Sequence, residues 1–308
     1  MKSSIFTFKD QDGIEIFVYK WAPDSDPPKA AIQIAHGLIE HAARYERLAE
    51  VLTSEGYICY ANDQRGHGKT GGEENKGYLG ENGWDAVLND MKMLTEIIKK
   101  ENPDIPFFLL GHSWGSFMAQ DYIQNWPNEL KGVILSGTNG YVDENLLKVG
   151  EMLVKKELKK FGPRKINDKL HNIVFGPFNK PFEPAETQFQ WLSRDQDEVN
   201  KYIDDPYCGY VGTTNLYGEL LYGLLKIFKE ENERKIPADL SIYLISGSQD
   251  PSNDMTKNLM KLIERYQNYG IKDLTYKIYE DARHEIFNEI NREEVFQDVI
   301  SWLDSHLE

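Results

Sequence analysis

"FLLGHSWGSF", residues 108–117, decides how this chain is read. Apolar residues run straight into two glycines that flank a serine, Gly111-His112-Ser113-Trp114-Gly115. With Gly and Ser each at about 7% of average usage, a chain of this length carries G-x-S-x-G by accident about one time in ten. The surroundings give the pattern its weight. "PFFLL" before it is strand-like and "WGSFMAQDYI" after it is helix-like, so Ser113 falls at a strand-to-helix corner. A serine there takes a strained conformation so that its hydroxyl stands clear of the turn. Gly111 and Gly115 remove the Cβ atoms that would collide with strand and helix.

Working outward, short apolar runs alternate with helical periodicity. "SIFTFK" and "EIFVYKW" join at "DQDG" as a hairpin, and "APDSDPPKA" reads as a surface turn. "AIQIA", "YICYA", "PFFLLG" and "LKGVILSG" are buried strands, with helices in "AARYERLAEVLTSE" and "WDAVLNDMKMLTEIIKKE" between them. "NDQRGHGKTGG" reads as a loop. The alternation stops near Thr138 and resumes at "LSIYLISGSQD", followed by a helix expected over "NDMTKNLMKLIERYQNYG", the strand "DLTYKIYED" and a last helix through "VFQDVISWLDSHL". Such a pattern gives a mostly parallel sheet with helices on both faces. The boundaries expected are a core of residues 1–138 and 236–308 and a helical cap of 139–235.

A serine needs a base to take its proton. Of seven histidines, only His284 follows the last strand and precedes the last helix. His112 is read as pointing away from the nucleophile, His171 as part of the insertion, and His306 as a surface residue. The orienting acid belongs at the end of the preceding strand, where "SGSQDPSND" offers Asp250, favoured over Asp254. Asp281 is read as a local turn residue. An oxyanion hole needs two backbone N–H groups, expected from Trp114 and from Leu38 in the loop after "AIQIAHG". Glu40 and Arg44, at i and i+4, are expected to pair and brace that loop.

The 308 residues are 40% hydrophobic and carry a formal charge of −15. So acidic a chain excludes a nucleic-acid footprint and general adhesion to anionic membranes. Cys59 and Cys208 are too few for a disulfide scaffold, and Cys59 reads as a core thiol. No metal or other cofactor is expected, since "HEIFN" has Asn288 where a zinc H-E-x-x-H motif needs its second histidine. The N-terminus lacks the apolar core of a signal peptide and no run is long enough to span a bilayer, so a cytoplasmic location is expected.

Three blocks carry a resemblance. "HGLIEHAARY" is similar to H-G-x-x-E-H-x-x-R-Y through His36, Gly37, Glu40, His41, Arg44 and Tyr45. "NDQRGHGKT" is similar to D-x-R-G-H-G-x-S, and "GHSWGS" to G-H-S-M-G-G with Trp114 and Ser116 as departures. The chain resembles the α/β-hydrolases that include monoacylglycerol lipases, bacterial lysophospholipases and serine aminopeptidase-like hydrolases. The resemblance implies the α/β-hydrolase fold, a Ser113–Asp250–His284 triad and a lid. It does not settle the substrate: the expected reaction is hydrolysis of a carboxylic ester, a monoacylglycerol or lysophospholipid, and the expected partner is a small acyl ester, favoured by the Phe-, Leu-, Tyr- and Trp-rich insertion. Trp114 also resembles the G-x-S-W-G-S of prolyl iminopeptidases, which keeps an aminopeptidase open. That reading needs an anionic cluster, for which Glu183, Glu186 and Asp195 are available. A catalytically dead binding protein is disfavoured because no triad position is lost.

The insertion bears on substrate. In "NLLKVGEMLVKKELKKFG", Leu146, Val149, Leu153, Val154, Leu158 and Phe161 are expected on one helical face, packed on the core, with lysines opposite. The same amphipathic pattern leaves contact with a lipid interface open. "NLYGELLYGLLKIFKE" is apolar around most of its circumference and is expected to be buried or to line an apolar cavity.

Overall fold

A computed structural model describes residues 1–25 and 27–307, with the side chain of Glu144 left aside. Asp26, within the expected surface turn, lies outside the described residues. Eight strands form one sheet: β1 (Lys2–Lys9), β2 (Glu15–Ala22), β3 (Ala31–Ala35), β4 (Ile58–Asn62), β5 (Phe107–His112), β6 (Gly132–Ser136), β7 (Ser241–Gly247) and β8 (Leu274–Tyr279). Their order is β1-β2-β4-β3-β5-β6-β7-β8. The hairpin β1–β2 is antiparallel and joins β4 antiparallel, while β3 to β8 are mutually parallel.

The helices in chain order are α1 (Glu46–Ser54), α2 (Gly68–Gly71), α3 (Gly83–Glu101), α4 (Trp114–Asn125), α5 (Glu144–Phe161), α6 (Asp168–Phe175), α7 (Gln196–Asp204), α8 (Thr214–Ile227), α9 (Glu230–Glu233), α10 (Lys257–Asn268) and α11 (Arg292–Ser305). Strands β3 to β7 are buried at every position, which is why each reads as an unbroken apolar run. Along β5 the period of two still sorts the side chains. Phe108 and Leu110 join the cluster beneath α1 and α11, and Leu109 joins the one beneath α3, α4 and α10. Each such side chain, fully buried, stabilises the fold by about 1.5–3 kcal/mol.

Two expectations about local structure change. The "NDQRGHGKTGG" stretch is not loop throughout, because it contains the short helix α2. The helix α10 starts only at Lys257, after a 3-10 turn over Pro251–Asn253 and three residues with positive φ, Asp254, Met255 and Thr256.

Between β6 and β7 lie α5 to α9, and the strand pairing there, among the described residues, is one isolated bridge between Ile166 and Thr213. The packing of α5 differs from the expectation. Leu147, Val154 and Glu157 face inward, whereas Leu146, Val149 and Met152 are 64%, 62% and 70% exposed. Apolar residues on α5 outnumber what its partner helix α8 can cover, so the stripe splits between a buried edge and a solvent edge. Helix α8 is buried against α3 and α4 through Leu216, Leu220 and Ile227. It does not line the cavity described next.

Candidate active site

The β5 ladder runs into the corner itself: the Ser113 amide donates to the Ser136 carbonyl of β6 at 2.9 Å. Ser113 then turns at φ 51°, ψ −118° and heads α4. A Cβ on Gly111 would lie 2.3 Å from the Gly115 carbonyl oxygen, and one on Gly115 would lie 2.0 Å from that of Ala35. Neither position has room for a side chain. Ser116, a departure from the family pattern, braces the corner by donating its hydroxyl to the Ser113 carbonyl at 2.5 Å.

Ser113 and His284 line one cleft of about 740 Å³, open mouth included. After β7, Asp250 is fully buried and caps the Pro251–Asn253 turn by accepting from the Ser252 amide at 2.9 Å. Its other oxygen lies 2.9 Å from His284 Nδ1. Burial pulls the His284 pKa down, but the charge and hydrogen bond of Asp250 outweigh it, and the net shift is upward. Asp254 is exposed and pairs with Lys257 instead. Asp281 is an exposed turn residue at φ 58°.

The loop after β3 forms the third side. Gly37 and Leu38 line the cleft, and Ile39 adopts φ 61°. Glu40 is buried and accepts from the Gly37 amide at 2.5 Å, from the Tyr45 hydroxyl at 2.8 Å and from Arg44. The expected pair therefore forms, and it holds this loop. His36 is buried and neutral: its Nδ1–H donates to the Gly37 carbonyl, its Nε2 accepts from the Gln64 amide, and burial lowers its pKa to about 3. Gln64 also accepts from the Trp114 indole at 2.6 Å and donates to the His36 carbonyl at 2.8 Å. One side chain thus ties the serine corner to the loop opposite. As the first residue of α4, Trp114 has an amide with no intrahelical acceptor.

One placement corrects the reading from sequence. His112 does not point away: it lines the cleft with its ring 4.9 Å from that of His284, and burial first, then the His284 charge, lowers its pKa to about 4. The Trp114 ring, by contrast, faces the core, edge-on to Trp84 at 4.9 Å, and is absent from the cleft lining. The three acids considered for binding an ammonium group do not line the cleft either. Glu183 and Glu186 are exposed, and Asp195 caps α7 and pairs with Arg292 at 2.7 Å.

Residues unsuspected from the sequence complete the wall. Trp191 packs on His284, ring centroids 4.9 Å apart, and the carbonyls of Trp191 and Leu192 accept from the His284 and Glu285 amides at 3.3 and 2.7 Å. Phe175, Phe189 and Leu192 supply further apolar lining. The only hint was the aromatic richness of the insertion. His41, Asp205 and Cys208 bring donor atoms within 4.8 Å of one another, the one such group among the described residues. His41 Nε2 is already bonded to Asp205 at 2.8 Å, and burial pushes the Cys208 thiol pKa up, away from the thiolate a metal requires.

Comparison with known proteins agrees with this architecture. Residues 26–291 match the family model described as "Serine aminopeptidase, S33". The chain is 27% identical over 301 residues to a monoacylglycerol lipase of Mycolicibacterium smegmatis, covering 98% of this chain and 97% of that one. It is 28% identical over 300 residues to mouse monoglyceride lipase, covering 96% and 89%. A thermostable carboxyl esterase from Bacillus coagulans, solved in complex with glycerol, superposes over the whole of both chains with a TM-score of 0.92 at 25% identity. The chain belongs to the serine aminopeptidase S33 family and is a monoacylglycerol lipase-like α/β-hydrolase.

Proposed function

We propose that this carboxylic ester hydrolase cleaves monoacylglycerols or lysophospholipids through an acyl-enzyme on Ser113. The observation that carries the reading is His284, held by Asp250 at 2.9 Å on the wall of the cleft that Ser113 also lines. With Nδ1 engaged, Nε2 is the nitrogen left to take the Ser113 proton and return it to the leaving alcohol. Asp250 fixes the tautomer and stabilises the imidazolium. The amides of Leu38 and Trp114 receive the oxyanion, a contribution of about 10²–10³ in rate for one such donor. Water then enters by the same base and releases the fatty acid.

The substrate follows from the walls. Phe175, Phe189, Trp191 and Leu192 suit one acyl chain. The aminopeptidase reading has less support, since Glu183, Glu186 and Asp195 do not line the cleft and the carboxylates that do, Glu40 and Glu285, are both bonded to Arg44. In this reading residues 139–235 act as the cap, and the exposed Leu146, Val149 and Met152 of α5, with Lys156 and Lys160 nearby on the helix, meet the lipid surface that holds the substrate. Two free, buried cysteines suit a cytoplasmic site of action.

A fluorophosphonate should label the protein at Ser113 and leave Ser113→Ala unlabelled, and equal labelling of both would overturn the mechanism. Across a panel of monoacylglycerols, lysophospholipids and amino-acid arylamides, the lipids should turn over fastest. Faster arylamide turnover would replace the lipase assignment with a peptidase one.

A further inference from the structure

Two loops must be in register for the proposed chemistry: the Gly37–Glu40 loop that offers the Leu38 amide, and the loop that carries His284. They come from opposite ends of the chain and follow different strands. Arg44 joins them. Its guanidinium grips Glu285 with two parallel bonds of 2.7 Å, and the same Nη1 also bonds Glu40. Glu40 in turn holds the Gly37 amide, one residue from Leu38. Glu285 is the residue after His284. A continuous path of hydrogen bonds thus runs from the residue beside His284 to the oxyanion loop without passing through substrate.

The three side chains are only 4%, 13% and 6% exposed for Glu40, Arg44 and Glu285. Burying three charges is costly, and a well-packed apolar cluster is often as stable. What an apolar cluster lacks is direction. A bidentate guanidinium–carboxylate pair fixes both distance and angle. The rest of the surroundings adds to this: Tyr202 lies under the Arg44 guanidinium at 4.9 Å, and Asn288 donates to Glu285 at 2.9 Å.

We propose that Glu285 and Arg44 are positioning residues that, through Glu40, lock the His284 loop to the oxyanion loop so that base and oxyanion donor meet the reacting carbonyl in one geometry. The proposal rests on the assignment of Ser113 and His284 above. It assigns Glu285 a role in the reaction although its carboxylate contacts neither the serine nor the imidazole in any hydrogen bond among the described residues.

A purely structural tie would change how much protein folds; a positioning tie changes what each folded molecule does. Active sites are therefore counted by fluorophosphonate titration, and kcat on p-nitrophenyl butyrate is expressed per titrated site. Glu285→Ala should lower kcat by about 10²-fold with KM within about threefold, the size expected when reacting groups drift by about 1 Å. Glu285→Gln, which keeps shape and hydrogen bonding, should recover part of that loss. Arg44→Lys, which keeps the charge but not the fork, should lose about as much as Glu285→Ala.

A pH profile separates the roles further. The charged or titratable groups facing His284 are Asp250, Glu285, Glu40 and His112. Removing the Glu285 charge destabilises the imidazolium, so the acid limb of kcat/KM in Glu285→Gln should move to lower pH. If Glu285→Ala fails to fold, the glutamine and lysine variants decide. The proposal is overturned if kcat per site in Glu285→Gln and Arg44→Lys stays within twofold of wild type with the acid limb unmoved. Failure of Ser113 labelling in the wild type would instead remove the mechanism beneath it, a distinct result.

Discussion

The stretch 188–195 and helix α5 belong to the same insertion and are held in opposite ways. The first is bound to the histidine loop through buried charge and backbone. Glu289, fully buried, accepts from the Arg194 and Arg283 amides and from the Arg194 guanidinium, while the Ser193 hydroxyl donates to the Asn288 carbonyl. Helix α5 rests mainly on α8 through Val154 and the close approach of Gly150 to Leu221, and leaves large apolar side chains in solvent. The difference teaches that an insertion of this kind is two devices. One part is a wall of the cleft, fixed to the loop that carries His284. The other is a surface whose chemistry is directed outward.

The comparison is easiest to break at Glu289. Glu289→Ala strands buried donors from both sides, and chemical denaturation should show a loss of about 3–5 kcal/mol. A loss below 1 kcal/mol would mean that 188–195 is not anchored there. Next comes Trp191→Ala, which removes the ring packed on His284. Its kcat on a soluble ester should fall by about 10²-fold per titrated site, and an unchanged kcat would demote the wall to a bystander.

The folded state should also be acid-sensitive. His36 and His112 have folded pKa values lowered to about 3 and about 4, and burial similarly lowers His67 to about 4. Between pH 6.5 and those values the unfolded chain binds more protons, so their contribution is present above about pH 6.5 and is lost as pH falls. Each adds a slope of up to about 1.4 kcal/mol per pH unit. His284 has the opposite sign, its stabilisation being present below about pH 6.5 and lost as pH rises through its raised folded pKa. Denaturation measured from pH 7 to pH 4 should show a steep net decline, and a flat profile would contradict the buried neutral state of these rings. The smallest effect belongs to α5. Val149→Ser with Met152→Ser should change stability by less than about 0.5 kcal/mol and leave p-nitrophenyl butyrate turnover intact. Its lipid-vesicle substrate should be hydrolysed more slowly, and equal rates on vesicles would remove the lipid-facing role.

The sheet was legible because buried strands and amphipathic helices carry local periodicity: "PFFLL", "GVILS" and "SIYLISG" fall on β5, β6 and β7. Ser113, Asp250 and His284 could be proposed together from sequence because each follows a strand, β5, β7 and β8, in chain order. Glu285, Gln64 and Trp191 could not. Their contributions are distances between segments far apart in sequence, such as the 241 residues separating Arg44 from Glu285. A pattern along the chain does not encode such a distance. The split of α5 was missed for a related reason, since periodicity identifies an apolar stripe but not how much of it a neighbouring helix covers. Trp114 entered the reading as a motif letter alone, and its packing against Trp84 is likewise a contact between distant segments.

Ile39 carries a last consequence. Its carbonyl receives two hydrogen bonds from the insertion, from the Tyr202 hydroxyl at 3.0 Å and the Gly209 amide at 3.1 Å. A β-branched residue at φ 61° does not hold that shape unaided. A chain trimmed to its sheet and flanking helices would keep its serine, aspartate and histidine yet lose the grip that shapes the turn beside Leu38. On the proposed mechanism, removing what lies above the sheet therefore removes support from the turn beside Leu38, and a minimal hydrolase is not to be had by that cut.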